Sequence, residues 1–441
     1  MTAGTGMGPA SGLSFADALA AVLAAVGGRA TPTERVGVAD ALGRVLAQDI
    51  TSRLALPAWD NAGMDGYAVQ RADVLGATAA SPRVLPVIGT SVAGSDPTGL
   101  PWVQQGTAMR IMTGAPLPPG ADAVVRLEDS DRGEATVCIT SDRDVQGRGN
   151  VRPRGEDIAA NAVLFGRGTS LRAAHLGALA SIGAAALPVF RQPRVTIVSS
   201  GDELVLLDRF DEVLAGHRLV SSSSYALPAL LRGAGAQVTM APLVSDSLEA
   251  LTAALADALD TGCDLLVTTG GVSVGAHDYT RDALAALGGT QRFWRARIRP
   301  GGPIGTGMVR DVPWLGLPGN PVSTLVTGVL FAWPLIRALG GHAGVHHARI
   351  PVRMTDRADT PAALRYFLRV ALGVGSDGLL EARLSGAQGS NLLRSMALAD
   401  ALLEVPEEMT RVEAGTMMHA ILLPDAPPLL PTAPAPPDTA S

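Results

Sequence analysis

The chain contains no lysine, so all 35 of its basic residues are arginines. Its formal net charge of −6 argues against a nucleic-acid-binding protein whose affinity depends on an overall positive field. The two cysteines, Cys138 and Cys263, cannot form a disulfide framework and do not have the spacing of metal ligands. We expect no membrane span, which would need about 20 consecutive, predominantly apolar residues.

The alanine-rich segment near the start, residues 15–26, is not predicted to be a signal peptide. It contains Asp17, and no basic residue precedes it. Hydrophobic residues make up 47% of the 441 positions, which is enough for packed cores. A chain of this length is expected to form roughly two to four domains, and a cytoplasmic location is the default expectation.

Changes in composition and in the pattern of strand-prone and helix-prone segments predict where these domains lie. A capping box at Ser14 begins a helix, and short β-prone segments between glycine and proline turns extend to about residue 149. From Arg194, strands and helices alternate, which indicates a doubly wound parallel sheet. After residues 340–341 β-prone segments return, and the Pro/Ala-rich residues 424–441 are predicted to be a disordered tail.

The most informative segment is the glycine-rich turn at residues 269–275, between a predicted strand and a predicted helix. Its glycines permit positive φ angles and the close approach of a ligand. The backbone N–H groups at the start of the following helix are suited to bind a phosphate or another oxyanion. A turn that serves packing alone is the alternative, but the C-terminal end of a parallel strand is where such sheets bind ligands.

Residues 271–275 also match the Gly-x-Ser-x-Gly elbow of serine hydrolases, with Ser273 as the nucleophile. In such an elbow the helix starts directly after the serine, whereas Val274, Gly275 and Ala276 intervene here. The histidines that could complete a triad follow the last helix of the predicted sheet. The hydrolase interpretation is therefore disfavoured.

Two further polar segments follow predicted strands. Residues 318–320 form a second strand-to-helix turn, which would meet the first turn if the two strands are neighbours. Asp202 and Glu203 follow the first strand of the α/β region. Together with Asp278 they could hold a hard cation such as Mg²⁺, and a solvated surface is the alternative.

Three arginines alternate between residues 295 and 299, so a strand would place Arg295, Arg297 and Arg299 on one face. A guanidinium group suits phosphate or another tetrahedral oxyanion, and surface ion pairing is an equally good explanation. Two dense polar loops, residues 59–67 and 152–157, are either ordinary turns or parts of a site closed between domains or subunits.

Taken together, these segments resemble the molybdopterin molybdenumtransferase family, which comprises the bacterial MoeA proteins and the related domain of gephyrin. The matching segments occur in family order and cover almost the whole chain. They are residues 41–44, 59–67, 110–116, 154–157, 200–204, 270–275 and 318–321.

The resemblance implies an elongated subunit of four parts and a homodimer with its site at the subunit interface. The parts are a discontinuous domain (13–55 and 150–185), an inserted β-rich domain (56–149), a doubly wound molybdopterin-binding domain (186–340) and a C-terminal β-barrel (345–423).

The family's reaction, as the resemblance implies it, inserts molybdenum from molybdate into adenylated molybdopterin and releases AMP, with Mg²⁺ or a similar cation. A recipient molybdoenzyme and an upstream adenylyltransferase are the implied protein partners. By motif position, the catalytic residues are Asp60, Asp157, Glu203, Asp278 and Arg299, of which Asp60, Glu203 and Asp278 are the metal ligands. The implied substrate-binding residues are Thr113, Gly270, Gly271, Ser273, Gly275, Arg295, Pro318, Gly319 and Asn320.

The chain lacks a charged side chain of the family pattern at two positions. Gly302 stands where relatives carry a lysine, and Ser221 stands where they carry an acidic residue. Lysines are also replaced at Arg295 and Arg299, which keep the charge but change its geometry. Two hypotheses follow: a working enzyme with an arginine-adapted anion site, or a weakened paralogue that carries molybdopterin or the finished cofactor. The retained carboxylates favour the enzyme.

Overall fold

The computed structural model describes residues 12–271, 279–361, 363–424 and 426. The chain divides into two compact units, each built from segments that are distant in sequence. The first unit comprises Met1–Ala47, Gly168–Arg172 and Leu187–Ser441, and the second comprises Gln48–Arg167 and Ala173–Ala186. The finer division into four domains stays a prediction.

Helix α1 forms where the capping box predicts it. The Ser14 Oγ accepts the N–H of Asp17 at 3.1 Å, and the helix ends at Gly27, which has a φ of 60°. The α-helices are α1 Phe15–Val26, α2 Arg71–Val74, α3 Ala173–Ser181, α4 Phe210–Leu214, α5 Ser223–Gly233, α6 Leu248–Asp260, α7 Thr280–Ala286, α8 Pro321–Thr327, α9 Trp333–Leu339 and α10 Leu393–Ala397.

The β-prone segments of the first 190 residues form short strands. These are β1 Thr33–Gly37, β2 Ile50–Thr51, β3 Asn61–Ala62, β4 Gly66–Val69, β5 Arg83–Ser91, β6 Ala108–Ile111, β7 Ala123–Arg126, β8 Thr136–Ile139, β9 Val151–Arg152, β10 Val163–Phe165 and β11 Ala186–Phe190. Five of them make a sheet in the order β7-β4-β6-β5-β8, within the segment predicted to be β-rich.

The alternating region forms a six-stranded sheet in the order β15-β12-β16-β20-β19-β17. The strands of this region are β12 Arg194–Ser199, β13 Leu204–Val205, β14 Leu219–Val220, β15 Gln237–Met240, β16 Leu265–Thr269, β17 Thr290–Arg295, β18 Ile298–Arg299, β19 Pro303–Val309 and β20 Val312–Leu317. Strands β15, β12, β16 and β20 are parallel. The predicted parallel sheet is confirmed, and at one edge it is extended by β19, which is antiparallel to β20, and by β17, which is antiparallel to β19.

Both faces of this sheet are covered by helices, as a doubly wound fold requires. Val195 and Ile197 of β12 belong to the same buried cluster as residues of α1, α5 and α8. Val198, one residue further along the strand, belongs to a cluster with residues of α6 and α7. Successive side chains of a strand point to opposite faces, so each face has its own core.

The C-terminal strands close into a barrel, which confirms the expected β-barrel. They are β21 Arg349–Met354, β22 Ala358–Asp359, β23 Arg365–Val374, β24 Leu380–Leu384, β25 Ala401–Val405, β26 Arg411–Val412 and β27 Met417–Leu422. The pairing runs β23-β24-β21-β27-β25 and returns from β25 to β23. The predicted tail, apart from Pro424 and Ala426, lies outside the described residues.

One stretch differs from the expectation that no segment could span a membrane. Pro321–Leu339 is a helical stretch long and apolar enough to do so by length and composition alone. It consists of α8, a π-helical turn at Gly328–Ala332 and α9. Because 83% of the apolar window is buried inside the fold, its composition is explained by the core it helps to build.

Candidate functional site

Three turns leave the parallel sheet at the same edge. They begin at Ser200, Gly270 and Pro318, directly after β12, β16 and β20, which are parallel neighbours. Thr269 lies opposite Leu317 in the register, and the Gly270 N–H donates to the Leu317 carbonyl at 3.3 Å. The expectation that the second turn meets the first is confirmed.

The backbones of these turns approach closely because glycine occupies the contact points. Gly270 has a φ of +82°, and a Cβ there would lie 2.8 Å from the Ser200 carbonyl oxygen. A Cβ at Gly319 would lie 3.4 Å from the Gly270 Cα. The N–H groups of Gly271, Gly319 and Asn320 donate to no other described residue. They are therefore available to the oxygens of an anionic ligand.

The remainder of the first turn lies outside the described residues. Ser273, Gly275 and Asp278 are among them, so their assigned roles stay predictions, as does the disfavoured elbow at Ser273. Beyond the gap the chain continues at Tyr279, and α7 begins at Thr280.

The two adjacent carboxylates after β12 are in different environments. Asp202 and Asp246 bind each other's backbone: Asp246 N–H donates to Asp202 Oδ1 at 3.1 Å, and Asp202 N–H donates to Asp246 Oδ2 at 3.3 Å. The backbone carbonyl of Glu203 accepts the Leu219 N–H, while its side chain is exposed. Of the two neighbours, Glu203 is the carboxylate that remains available to a ligand.

The expectation that three arginines share one face of a single strand is wrong. Strand β17 ends at Arg295, and β18, which carries Arg299, pairs with β23 of the barrel. The break has a tertiary cause, because Leu13 binds the backbone on both sides of Ala296: its N–H donates to the Arg295 carbonyl, and its carbonyl accepts the Arg297 N–H. The Arg299 guanidinium lies over the Tyr366 ring, 5.8 Å from the centroid.

Gly302, where the family pattern has a lysine, lies in a tight backbone turn. Its carbonyl accepts the Ala296 N–H at 3.0 Å. A Cβ at this position would lie 3.3 Å from the Ile298 carbonyl oxygen and 3.4 Å from the Ala296 carbonyl oxygen. A larger residue would therefore require the neighbouring backbone to shift by a few tenths of an ångström.

The second unit brings its own polar loops together. Asn61 of β3 pairs with Arg152 of β9, and the Asp60 Oδ1 accepts the Arg154 N–H at 2.7 Å. The Asp60 carbonyl accepts the Leu117 N–H at 2.8 Å. These bonds join the loop at residues 59–67 to the loops that carry Thr113 and Asp157, the latter with an exposed side chain.

Thr113 binds a carboxylate of the same cluster. Its N–H and hydroxyl both donate to Asp65 Oδ1, at 2.6 and 2.7 Å. These hydrogen bonds favour the charged form and lower the pKa of Asp65 below its ordinary value, with the backbone donor contributing more. Asp65 thus helps to fix Thr113, a residue that the sequence analysis assigned to substrate binding.

No metal centre is evident in the described ranges, where no three His, Cys, Asp or Glu residues are grouped as ligands. Of the predicted ligands, Asp278 lies outside those ranges, and Asp60 and Glu203 belong to different units. The Mg²⁺ site stays a prediction.

The sequence analysis missed a contribution of the barrel to the sheet edge. The Ser390 carbonyl accepts the Val322 N–H at 3.2 Å, and the Asn320 Nδ2 lies 3.5 Å from the Ser390 Oγ. The loop that carries Ser390 is held by Arg369, whose guanidinium donates to the carbonyls of Ala387 and Gly389. The available signal was Arg369, an arginine in the middle of the otherwise apolar interior of β23, whose first residue is also an arginine.

Arg369 itself is an unusual cation. Its side chain is completely buried, and besides the two carbonyls it donates to the Ser395 Oγ at 3.0 Å. No described carboxylate bonds to it, and burial lowers the pKa of its guanidinium to about 10. The loop at residues 386–390 is therefore held by hydrogen bonds to a charged group, which are stronger than neutral ones.

The fold and the turns define an α/β protein with a group of backbone N–H donors at its strand ends, which bond to no described residue, and a C-terminal barrel. Three family descriptions match it: the MoeA N-terminal region (domains I and II) over residues 13–183, a probable molybdopterin binding domain over 196–338, and the MoeA C-terminal region (domain IV) over 351–423.

Curated relatives match along most of the chain. Molybdopterin molybdenumtransferase 2 of Mycobacterium tuberculosis is 36% identical over 87% of this chain and 93% of its own length. Molybdopterin molybdenumtransferase of Nostoc sp. is 35% identical over 89% of each chain. The crystal structure of the molybdopterin biosynthesis moeA protein of Pyrococcus horikoshii superimposes with a TM-score of 0.79 at 25% identity, covering 93% of this chain and 100% of that one. The chain belongs to the molybdopterin molybdenumtransferase (MoeA) family.

Proposed function

We propose that this protein is a molybdopterin molybdenumtransferase of molybdenum cofactor biosynthesis. In that role it takes adenylated molybdopterin and molybdate, inserts molybdenum into the dithiolene and releases AMP. Family membership supports the proposal, since the relatives quoted above are named as transferases and match over 87% or more of the chain. The same names disfavour the alternative of a carrier without catalysis.

The observation that carries the proposal is the group of unpaired N–H groups at the carboxyl edge of the parallel strands. Gly271, Gly319 and Asn320 supply three such donors from two adjacent turns, with no acceptor among the described residues. Phosphate oxygens are matching acceptors, and a hydrogen bond to a charged group contributes about 1.5–3 kcal/mol. We assign the phosphate end of molybdopterin to these turns, together with Ser273 and Gly275.

We assign the second anion, molybdate, to Arg295 and Arg299. Neither guanidinium forms an ion pair with a described carboxylate, so both charges remain available. Two negative substrates repel each other when they are brought together, and fixed guanidinium groups offset that repulsion.

Mg²⁺ is proposed as the cation of the reaction, with Glu203 and Asp278 as its ligands. Glu203 fits a hard cation, because its exposed carboxylate forms no ion pair with a described residue. Asp202 fits less well, because its carboxylate already accepts the Asp246 N–H. When bound, the ion would neutralise part of the phosphate charge and so assist the departure of AMP.

In the second unit, we assign Thr113 to substrate binding and Asp157 to catalysis. The Thr113 hydroxyl donates a hydrogen bond to Asp65. Its oxygen can still accept a hydrogen bond from a ligand. We further propose that the protein is a cytoplasmic homodimer. It would receive its substrate from an adenylyltransferase and pass its product to a molybdoenzyme. Light scattering of the purified protein tests the dimer directly.

The function is tested by following AMP formation from adenylated molybdopterin, molybdate and Mg²⁺. We expect the purified protein to release AMP only when molybdate is present, and Asp278→Ala to abolish that release. Asp282→Ala is the matched control, since Asp282 is an exposed carboxylate in the first turn of α7. Full turnover by Asp278→Ala would reject the role of Asp278, and no AMP from the parent protein would reject the function.

A further inference from the structure

We propose that Thr324 is a positioning residue that holds residues 318–320, the second turn, in its ligand-binding geometry. The inference rests on the proposed function, because it concerns the turn to which the phosphate end of molybdopterin is assigned. Thr324 lies within α8, and its side chain is completely buried. It belongs neither to the glycine-rich turn nor to the charged residues already assigned to the site.

The Thr324 hydroxyl has one proton and lies between two acceptors of the second turn, of which the Pro318 carbonyl is the nearer. Its Oγ1 lies 2.6 Å from the Pro318 carbonyl oxygen and 3.0 Å from the Asn320 carbonyl oxygen. The Asn320 carbonyl also accepts the Thr324 N–H at 2.9 Å. One buried side chain thus contacts carbonyls at both ends of the turn. Removing its hydroxyl would leave the Pro318 carbonyl without a donor among the described residues, which costs free energy.

The hydroxyl of Thr324 is itself fixed from the other side. The Ser223 Oγ, at the start of α5, donates to the Thr324 Oγ1 at 3.4 Å. A hydroxyl can donate one hydrogen bond and accept others, so Thr324 accepts from Ser223 while it donates to the turn. Both side chains are buried, which protects this pair of contacts from competition by water.

The bond to Pro318 sets the direction of the Gly319 N–H. A peptide unit is planar and trans, so its carbonyl and its N–H point in opposite directions. The Pro318 carbonyl and the Gly319 N–H belong to the same unit, and no other described residue donates to that carbonyl. By holding the carbonyl towards α8, Thr324 directs the Gly319 N–H away from the helix, where a ligand oxygen can accept it.

The functional consequence is tested with three variants of the full-length protein. Thr324→Val keeps the shape of the side chain but removes the hydroxyl, and Thr324→Ser keeps the hydroxyl. Thr327→Val is the matched control, since Thr327 is also completely buried in α8 but its hydroxyl binds only helix carbonyls, those of Ser323 and Thr324.

In steady-state AMP release, we expect Thr324→Val to raise the KM for adenylated molybdopterin about tenfold, the scale of one hydrogen bond to a charged group. We expect kcat to change less than about twofold, because the phosphate end is bound equally in the ground and transition states. Thr324→Ser and Thr327→Val should keep the parent KM. An unchanged KM in Thr324→Val, or an equal rise in Thr327→Val, would overturn the inference.

Amide hydrogen exchange separates this inference from the proposed function, because it needs no substrate. We expect the peptide covering residues 317–326, whose bonded N–H groups include those of Val322 and Thr324 next to the turn, to exchange faster in Thr324→Val than in the parent, and at the parent rate in Thr327→Val. Equal exchange in all three proteins would overturn the positioning role even if the enzyme is active. A parent protein that releases no AMP would refute the function, and the exchange result would still decide whether Thr324 holds the turn.

Discussion

Arg299 is the single side chain on which the assignment of molybdate depends most. Its guanidinium is exposed, lies over Tyr366 and forms no ion pair with a described residue. We expect Arg299→Ala to weaken molybdate binding in the presence of adenylated molybdopterin by about 1.5–3 kcal/mol, as measured by calorimetry. Arg299→Lys should weaken it less, because the charge remains while the planar fork is lost.

Arg292, an exposed arginine of β17, provides the control for the measurement on Arg299. Arg292→Ala has the same change in net charge and should bind molybdate as the parent does. Equal losses in the Arg292 and Arg299 variants would indicate a general electrostatic effect, and an unchanged affinity in Arg299→Ala would contradict the proposed contact.

The pKa of Asp65 tests the hydrogen bonds between Asp65 and Thr113 in the second unit. Two donors from Thr113 lower its pKa, and Thr113→Val removes the hydroxyl but keeps the stronger backbone donor. We expect the pKa of Asp65 to rise in this variant while staying below its ordinary value, as measured by NMR titration of the carboxyl carbon. An unchanged pKa would show that the hydroxyl does not bind Asp65 in solution.

The sign of the linked stability follows from the direction of that shift. A carboxyl group with a lowered folded-state pKa stabilises the fold above its ordinary pKa, and this contribution is lost as the pH falls through the lowered value. In Asp65→Asn, the free energy of unfolding should therefore fall less steeply than in the parent as the pH drops below about 4.

The sequence largely predicted which residue types form the site, but it did not predict the environment of each residue. The glycines of the first turn were expected to allow the close approach of a ligand, and in the structure Gly270 and Gly319 lie where the backbones of the two turns approach each other. The difference between Asp202 and Glu203 depends on Asp246, a residue 44 positions further along the chain. A local pattern of two adjacent acids contains no information about such a distant partner.

At the scale of elements, the turn that follows α9 contains a group that makes stability depend on pH. Burial, together with the charge of Arg337, lowers the pKa of His342 to about 4 from an ordinary value of 6.5. Between these two values the unfolded chain binds the proton and the folded chain does not, so stability falls as the pH falls. The loss amounts to about 3 kcal/mol by pH 4.

We expect His342→Gln to flatten this dependence, as measured by urea unfolding at pH 7 and at pH 4.5. His419→Gln, on an exposed position of β27, is the control and should keep the slope of the parent. The same slope in the parent and in His342→Gln would contradict the buried, neutral state of His342.

Elements with a strong local signal were predicted well, and those set by tertiary contacts were not. The cap at Ser14 and the strand before Gly270 are local features, and both formed as expected. The alternation of arginines in residues 295–299 is also local, but the strand breaks because Leu13, almost 300 residues earlier, binds the backbone there. Alternation predicts which side chains share a face only while the strand continues.

At the scale of the whole molecule, the residue patterns along the chain predicted a doubly wound sheet followed by a β-rich segment, and the family resemblance implied that this last segment is a barrel. The antiparallel edge of the sheet and the contact between Ser390 of the barrel loop and Asn320 were not predictable. Both depend on how segments that are far apart in sequence pack together, which periodicity does not encode.

Removal of divalent cations tests the proposed chemistry of the intact enzyme. We expect a chelator to stop AMP release and added Mg²⁺ to restore it, with Glu203→Gln requiring a higher Mg²⁺ concentration than the parent. Glu249→Gln, which changes an exposed carboxylate of α6, should behave as the parent does. Full turnover in excess chelator would contradict a role for the cation.

The central claim is that backbone N–H groups at the strand ends hold the negatively charged end of the pterin. A crystal structure of the protein with adenylated molybdopterin tests it most directly. We expect phosphate oxygens within about 2.7–3.2 Å of the Gly319 nitrogen and of its neighbours in the two turns. A pterin phosphate bound elsewhere, with these N–H groups facing solvent, would contradict the account.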